Sequence, residues 1–298
     1  MSVSKPVPKE AVLIVNAHSR KGRALFRRAV FRLREAGIRL TAAHAVRKPG
    51  ELIPKVKEAV RSGAPMVIVG GGDGSLSSAV DELIDRDCVF ALLPLGTANS
   101  FARTLGIPLD LDGAIRTIAT GKRRRVDLGV IDGDYYANSA AIGLSPLIGA
   151  TVPPRLKRYL GRVGYLVWAI WSIYRFKPFG LVVEIDGERH EMEALEVRIA
   201  NGAFHGGVEV VDAAEVDSGE IVVQAVTGRA KHRLIRNWLA VLMKDLRSKR
   251  ETVTDFHGRR LRLTTSPPLP ISIDGEVLGR TPAIVEVAEC AIEVVVPA

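Results

Sequence analysis

The residues whose spacing points most directly to chemistry lie in MVIVGGGDGSLSSAVDEL, Met66 to Leu83. There an apolar run passes into Gly70, Gly71, Gly72, Asp73 and Gly74, and a helical pattern opens at about Ser75. Glycines admit positive φ and leave N–H groups open to anionic oxygens, and the helix N-terminus that follows adds donors and a favourable dipole. The stretch reads as a phosphate cradle with Asp73 where a magnesium ion would stand. It matches neither the Walker A spacing nor the dinucleotide fingerprint with glycines at positions one, three and six. A ligand-free Gly-rich turn is the plain alternative, although a turn needs only one or two glycines.

A second junction of the same kind follows in VFALLPLGTANSFARTLGIP, Val89 to Pro108, with Gly96, Thr97 and Asn99 in the loop. A third is NAHSRKG, Asn16 to Gly22, where Ser19 and Lys21 are within reach of phosphate or ribose. In an open parallel sheet ligands settle at the carboxyl ends of the strands, so adjacent polar loops there reinforce one another as a nucleotide site. His44, at the close of the next predicted strand, is a further candidate, set against the commoner use of a lone His as a surface or core residue.

These loops need a scaffold, and residues 11 to 131 supply the pattern of one. Apolar strands at Ala11–Val15, Met66–Gly70 and Val89–Gly96 alternate with helical faces at Phe26, Val30 and Leu33, at Leu76, Val80 and Leu83, and near Leu111–Thr120. Continuous apolar strands between helices imply a parallel sheet covered on both sides. From about Asp132 the pattern changes to short strands, among them Leu181–Asp186, Leu195–Gly202, Glu220–Val226, Arg260–Thr265 and Ile271–Glu276, which predict an antiparallel sandwich. Two helices interrupt it, at about Leu156–Tyr174 and His232–Leu246. The terminal strands Ile284–Val287 and Ala291–Val296 carry no signal of which half they join.

With 298 residues, two domains are the better expectation, with a border near Ile131. Cys88 and Cys290 sit in apolar runs and read as inert core thiols, which implies no disulfide framework. MSVSKPVPKE lacks the apolar core of a secretory signal, and the apolar Val163–Phe176 stretch is short of a membrane span, so a cytoplasmic protein is expected. A net charge of +9 favours nucleic acid, anionic lipid or a polyphosphate ligand, and the scarcity of interleaved aromatics argues against nucleic acid. On the helix from Leu234, the residues Leu234, Trp238, Leu242 and Leu246 form an apolar stripe that reads first as core packing. Its basic outer face, with Lys231, Arg233, Arg236, Lys244 and Arg247, is suited to rest on anionic lipid.

The chain resembles the diacylglycerol kinase and sphingosine kinase superfamily, in particular its bacterial YegS-like two-domain lipid kinases. The resemblance is carried by GGGDGS (Gly70–Ser75), PLGTANSFAR (Pro94–Arg103), RVDLGVIDGDYYANSAAIG (Arg125–Gly143), ANGAFHGG (Ala200–Gly207), AEVDSGEIVV (Ala214–Val223) and ISIDGE (Ile271–Glu276), in the family's order. It implies an α/β nucleotide domain like that of phosphofructokinases and NAD kinases, residues 1–131 plus about 284–298. A C-terminal β-sandwich lipid-substrate domain, residues 132–283, then closes a cleft between the two.

Carried over residue by residue, it implies ATP contacts at Asn16, Ser19, Gly71, Gly72, Gly74, Ser75, Gly96, Thr97 and Asn99, and Mg2+ at Asp73 and Asp127. Asp127 also reads as a carboxylate capping backbone amides. Asp274 or Glu276 is implied as the base for a lipid hydroxyl, against the reading of Asp-Gly as a tight turn. Asp217 belongs to a structural magnesium motif that usually has two consecutive Asp; Ser218 replaces the second here, and Ser100 replaces an Asp usual after Asn99. The implied partner is a lipid at a membrane surface, contacted peripherally, with a homodimer left open. An NAD-kinase-like phosphotransferase and a catalytically weak lipid-binding protein, the latter motivated by Ser100 and Ser218, are the alternatives.

Overall fold

A computed structural model describes residues 5–17, 20–151, 168, 171–273 and 276–298. Its first half follows from strands that are apolar along their length. In β3 (Met66–Gly71) and β4 (Val89–Pro94) every residue is buried, as is the apolar centre of β1 (Glu10–Asn16). Such strands are stable only with both faces covered. With β2 (Arg39–Val46), whose burial alternates as befits an edge, they pair in parallel in the order β2-β1-β3-β4. The crossovers are α1 (Arg20–Glu35), α2 (Leu52–Arg61) and α3 (Asp73–Val80); α4 (Ser100–Thr104) and α5 (Leu111–Thr120) follow β4. Leu13, Ile68, Phe90 and Leu92 lie at the centre of this core. Since the strands run the same way, the loops after β1, β3 and β4 share one edge of the sheet.

The second half is antiparallel. After β5 (Lys122–Ile131) and β6 (Asp134–Tyr136) come β7 (Ser139–Gly143), α6 (Leu144–Thr151), β8 (Phe179–Ile185) and β9 (Glu188–Ala200). A small hairpin, β10 (Phe204–His205) and β11 (Val208–Glu209), precedes β12 (Ile221–Thr227), α7 (Lys231–Met243) and α8 (Leu246–Arg250). Strands β13 (Val253–Gly258), β14 (Arg260–Ser266), β15 (Pro270–Ile273), β16 (Glu276–Arg280) and β17 (Ala283–Val296) complete the chain. The long β9 serves both layers of the sandwich: its first half pairs with β8, its second with β7 and β12. Side chains of β8 and β14 (Leu181, Val183, Leu263) meet those of β7, β12 and β15 (Ile142, Val223, Ile273) in one core. The architecture is thus an α/β unit followed by a β-sandwich, as the sequence leads one to expect.

Three expectations are corrected. The two terminal strands are one: β17 pairs with β14 early, with β4 in parallel late, and with β5 alongside both. A register shift between Ala288 and Ile292, with Cys290 at φ 52°, breaks the alternation without ending the strand. The helix through 246 is two helices, because Lys244 turns left-handed at φ 55°; Leu234 is buried while Leu242 and Leu246 are exposed. Cys290 is exposed, whereas burial pushes the Cys88 thiol up to about 12, so only Cys88 is an inert core thiol. The predicted helix at 156–174 lies largely outside the described residues. Among the described residues no helix is long and apolar enough to cross a membrane.

Candidate functional site

The loops after β3 and β4 meet backbone to backbone. A Cβ on Gly96 would lie 2.5 Å from Gly72 Cα, and one on Gly71 would lie 2.6 Å from Ser75 Cβ. None of Gly70, Gly71, Gly72, Gly74 and Gly96 has positive φ. Close approach therefore requires glycine at Gly96, crowds Gly71 against Ser75 and leaves tight contacts at Gly70 and Gly72, a correction to the conformational reason expected from sequence. At Gly74 a Cβ would meet nothing within 4 Å, so this side of the cradle is open.

Gly72 is the extended N-cap of α3 without a side-chain cap, and the amides of Ser75 and Leu76 turn back to the Gly72 carbonyl. The Asp73 and Gly74 amides are then the helix's donors without intrahelical partners. Asn16 reaches in from β1, its Nδ2 donating to Ser75 Oγ at 3.2 Å.

The loop after β4 is held by Asn99, which adopts the left-handed conformation at φ 50° and is 4% exposed. Its Oδ1 accepts from the Gly96 amide and its Nδ2 donates to the Gly96 carbonyl, both at 2.9 Å. Asn99 and the Gly96 amide are therefore occupied in shaping the loop, and Gly96 and Thr97 stand exposed at its tip. Asp73 Oδ1 accepts from the Phe101 amide at 3.3 Å, so the carboxylate sits between the N-terminal ends of α3 and α4. His44 is half-buried on β2, two residues before that strand ends.

The sandwich supplies the opposite wall. Its β10–β11 hairpin turns through Gly206 and Gly207, both at positive φ, and docks on the α/β unit: the Gly207 amide donates to Ser100 Oγ at 3.0 Å. Asn138, 4% exposed, accepts from Thr104 Oγ1 at 2.7 Å and donates to the Phe204 carbonyl. Asp73, Ser77, Ser100 and Phe101 on one side and Asn138, Ser139, His205 and Gly206 on the other enclose a cavity of about 150 Å3. Ser139 Oγ and His205 Nδ1 are 2.7 Å apart. Both lie in stretches that carry the family resemblance, Ser139 in Arg125–Gly143 and His205 in Ala200–Gly207, but the sequence assigns neither a role.

Asp274 and Ser19 lie outside the described residues, as does the Glu276 side chain. The strand leading to the triplet is placed: Ile273 pairs with Ala140, next to Ser139 of the cavity, and with Glu276 of β16.

No cluster of three or more metal-ligating side chains occurs among the described residues. Asp127 is 2% exposed and caps amides instead. Its Oδ1 accepts from Cys290 N at 2.7 Å and its Oδ2 from Gly219 N at 2.8 Å, clamping the β17 bulge to the turn before β12. Asp217 is ion-paired with Arg124 at 2.5 Å. Among the described residues Asp73 is the carboxylate in the cavity, and one carboxylate fits magnesium, which takes one or two beside substrate phosphates and water.

A second, apolar hollow of about 640 Å3 opens on the sandwich, lined by Leu147, Trp168, Trp171, Phe176, Phe179 and Leu269 among others. It adjoins α6, which directly continues β7 from the cavity.

The model of the diacylglycerol kinase catalytic domain matches residues 10–131, and that of the YegS C-terminal NAD kinase beta sandwich-like domain matches residues 138–296. An Enterobacter protein named "Probable lipid kinase YegS-like" is 35% identical over 205 residues, covering 66% of this chain and 67% of that protein. An uncharacterized protein of Synechocystis is 28% identical over 256 residues; the match covers 83% of this chain but only 59% of the relative. Among solved structures, a diacylglycerol kinase from Bacillus anthracis shares the fold with a TM-score of 0.78 and 23% identity, covering 97% of each chain. Gly-rich cradle, docked sandwich and matched domains agree, and the chain belongs to the two-domain diacylglycerol kinase and YegS-like lipid kinase family.

Proposed function

We propose that the protein is an ATP-dependent lipid kinase that transfers the γ-phosphoryl group to a hydroxyl of diacylglycerol or a related lipid alcohol. The observation that carries this is the single cavity in which Asp73, between two helix N-termini, faces His205 and Ser139 of the sandwich. Phosphoryl transfer asks chiefly for positioning and for neutralisation of developing charge. The open side at Gly74 and the Asp73 and Gly74 amides would receive phosphate oxygens, with Thr97 at the second loop and Asn16, Ser19 and His44 toward the nucleoside. Bound magnesium would neutralise phosphate charge, and Asp73 would hold it. The acceptor oxygen forms its bond to phosphorus as the bond to the ADP oxygen breaks, and its proton would pass to Asp274 or Glu276, which follow β15 in the sequence. The apolar hollow beside α6 would take the lipid's hydrocarbon, which favours a lipid acceptor over NAD.

In this reading residues 1–131 and about 284–298 form the ATP domain and 132–283 the lipid domain. The protein works in the cytoplasm, in peripheral contact with a membrane. The test is incubation with γ-labelled ATP, magnesium, a lipid panel (diacylglycerol, phosphatidylglycerol, a sphingoid base) and NAD, resolved by thin-layer chromatography. A labelled phospholipid is expected; labelled NADP with no lipid product would overturn the reading.

A further inference from the structure

Helix α7 has two unlike faces. Leu234, Asn237 and Ala240 are buried, Leu234 and Trp238 entering the sandwich core and Val241 a smaller cluster with Val210, Val211 and Val222. On the far side Ile235, Leu239, Leu242 and Met243 are 43, 52, 68 and 78% exposed. Offsets of four, seven and eight residues place these four on one helical stripe. Past the break at Lys244, Leu246 extends the apolar surface at 50% exposure. A soluble surface rarely exposes so many large apolar side chains together without something to cover them.

What covers them is indicated by charge. Residues 231–251 carry seven Lys and Arg against two acids, Asp245 and Glu251, and Glu251 is ion-paired with Arg236 and Arg247. Lys231, Arg236, Lys244, Arg247 and Arg250 lie along this segment, Lys231 donating to the Tyr174 carbonyl and Arg236 and Arg247 sharing Glu251, whereas Lys249 is buried on Asp212; the basic side chains still outnumber the acids. Two copies of the chain packed face to face about a two-fold axis would bring these basic rims together. An anionic bilayer surface meets both demands, hydrocarbon for the stripe and lipid phosphates for the rim.

We propose that the exposed face of α7 is the surface on which the protein docks to an anionic membrane, its apolar side chains entering the headgroup boundary. This deepens the lipid-kinase reading and rests on it for its purpose. Helix α7 packs against β11, whose hairpin partner β10 carries His205 at the cavity, so docking holds the cleft beside the membrane from which its acceptor comes.

The test is co-sedimentation of the full chain with vesicles of phosphatidylcholine alone or mixed with phosphatidylglycerol, at low and high salt. Sedimentation velocity and phosphorylation of short-chain dioctanoylglycerol are measured in parallel. The wild type should bind the mixed vesicles, more weakly at high salt. L239E/L242E should bind them at least about tenfold more weakly, with phosphorylation of the short-chain lipid unchanged; L239S/L242S serves if the charged variant fails to fold. Equal binding by wild type and variants, no wild-type binding, or a dimer dissolved by the substitutions would overturn the inference. Vesicle binding through this face without any lipid phosphorylation would overturn the kinase reading alone. Phosphorylation of the soluble lipid with no vesicle binding would overturn only the docking surface.

Discussion

The α/β wall of the cleft presents main chain, whereas the sandwich wall presents side chains, and in the proposed reading each does its work with what it presents. On the first, Gly72 and Gly96 bring two loops into contact and leave the Asp73 and Gly74 amides at a helix start, with Asp73 the one carboxylate among the described residues of the cavity. On the second, Ser139 and His205 project from β7 and a Gly-Gly hairpin that leans on Ser100. Phosphate is recognised by donors that every residue possesses, so the grip depends on where the backbone can go. An acceptor hydroxyl needs particular side chains, and so depends on which strands lie side by side.

The largest effect that would sharpen this contrast is at the carboxylate. Asp73→Ala should lower turnover by at least about a thousandfold, because no second carboxylate of the described residues stands in the cavity to replace it. Its thermal melting should move little, since the side chain caps only the Phe101 amide; a rate within tenfold of wild type would remove Asp73 from the chemistry. Next comes a pair of glycines that should respond oppositely. Gly96→Val forces a side chain against Gly72 Cα and should cost about 2 kcal/mol of stability, with ATP affinity falling roughly thirtyfold as the loops part. Gly74→Ala meets open space, so the fold should be unharmed while calorimetry shows weaker ATP binding. Equal affinities for Gly74→Ala and wild type would break the assignment of that side to phosphate.

On the sandwich wall, His205→Ala should reduce kcat about tenfold or more while leaving the Kd for ATP unchanged. A change in ATP affinity without a change in kcat would move His205 to the wrong side of the comparison.

The same division decides how much was legible in the sequence. Strands β1, β3 and β4 announce themselves because a strand buried on both faces must be apolar throughout, and the cradle because four glycines exceed the needs of a turn. The reason for those glycines was not legible: close approach between Gly72 and Gly96 involves a residue two dozen positions away, and local sequence offers positive φ as the simpler account. His205 escaped because its place depends on how a hairpin docks on Ala98 and Ser100 of the other half. Strand β17 was read as two because its bulge at Cys290 interrupts the alternation that marks a strand. The stripe on α7 was misjudged for a related reason. Both helix faces carry large apolar residues, and only the packing of Leu234 and Trp238 on the sandwich shows which is inside.

Asp127 gives the smallest effect on activity and the cleanest separation of two roles. Its aspartate, in the family's VDLG run, was expected at the metal, yet both oxygens accept backbone amides, one from the β17 bulge and one from the turn at Gly219. Substitution by Ala leaves those two donors without their acceptor, which should cost about 1–3 kcal/mol in urea unfolding. The Kd for magnesium-ATP should stay within a few-fold of wild type, because the clamp holds the ribbon linking the two halves rather than the nucleotide. A metal ligand behaves the other way, losing nucleotide affinity at unchanged stability, so measuring both quantities on Asp127→Ala tells a hinge clamp from a missing member of the cation site.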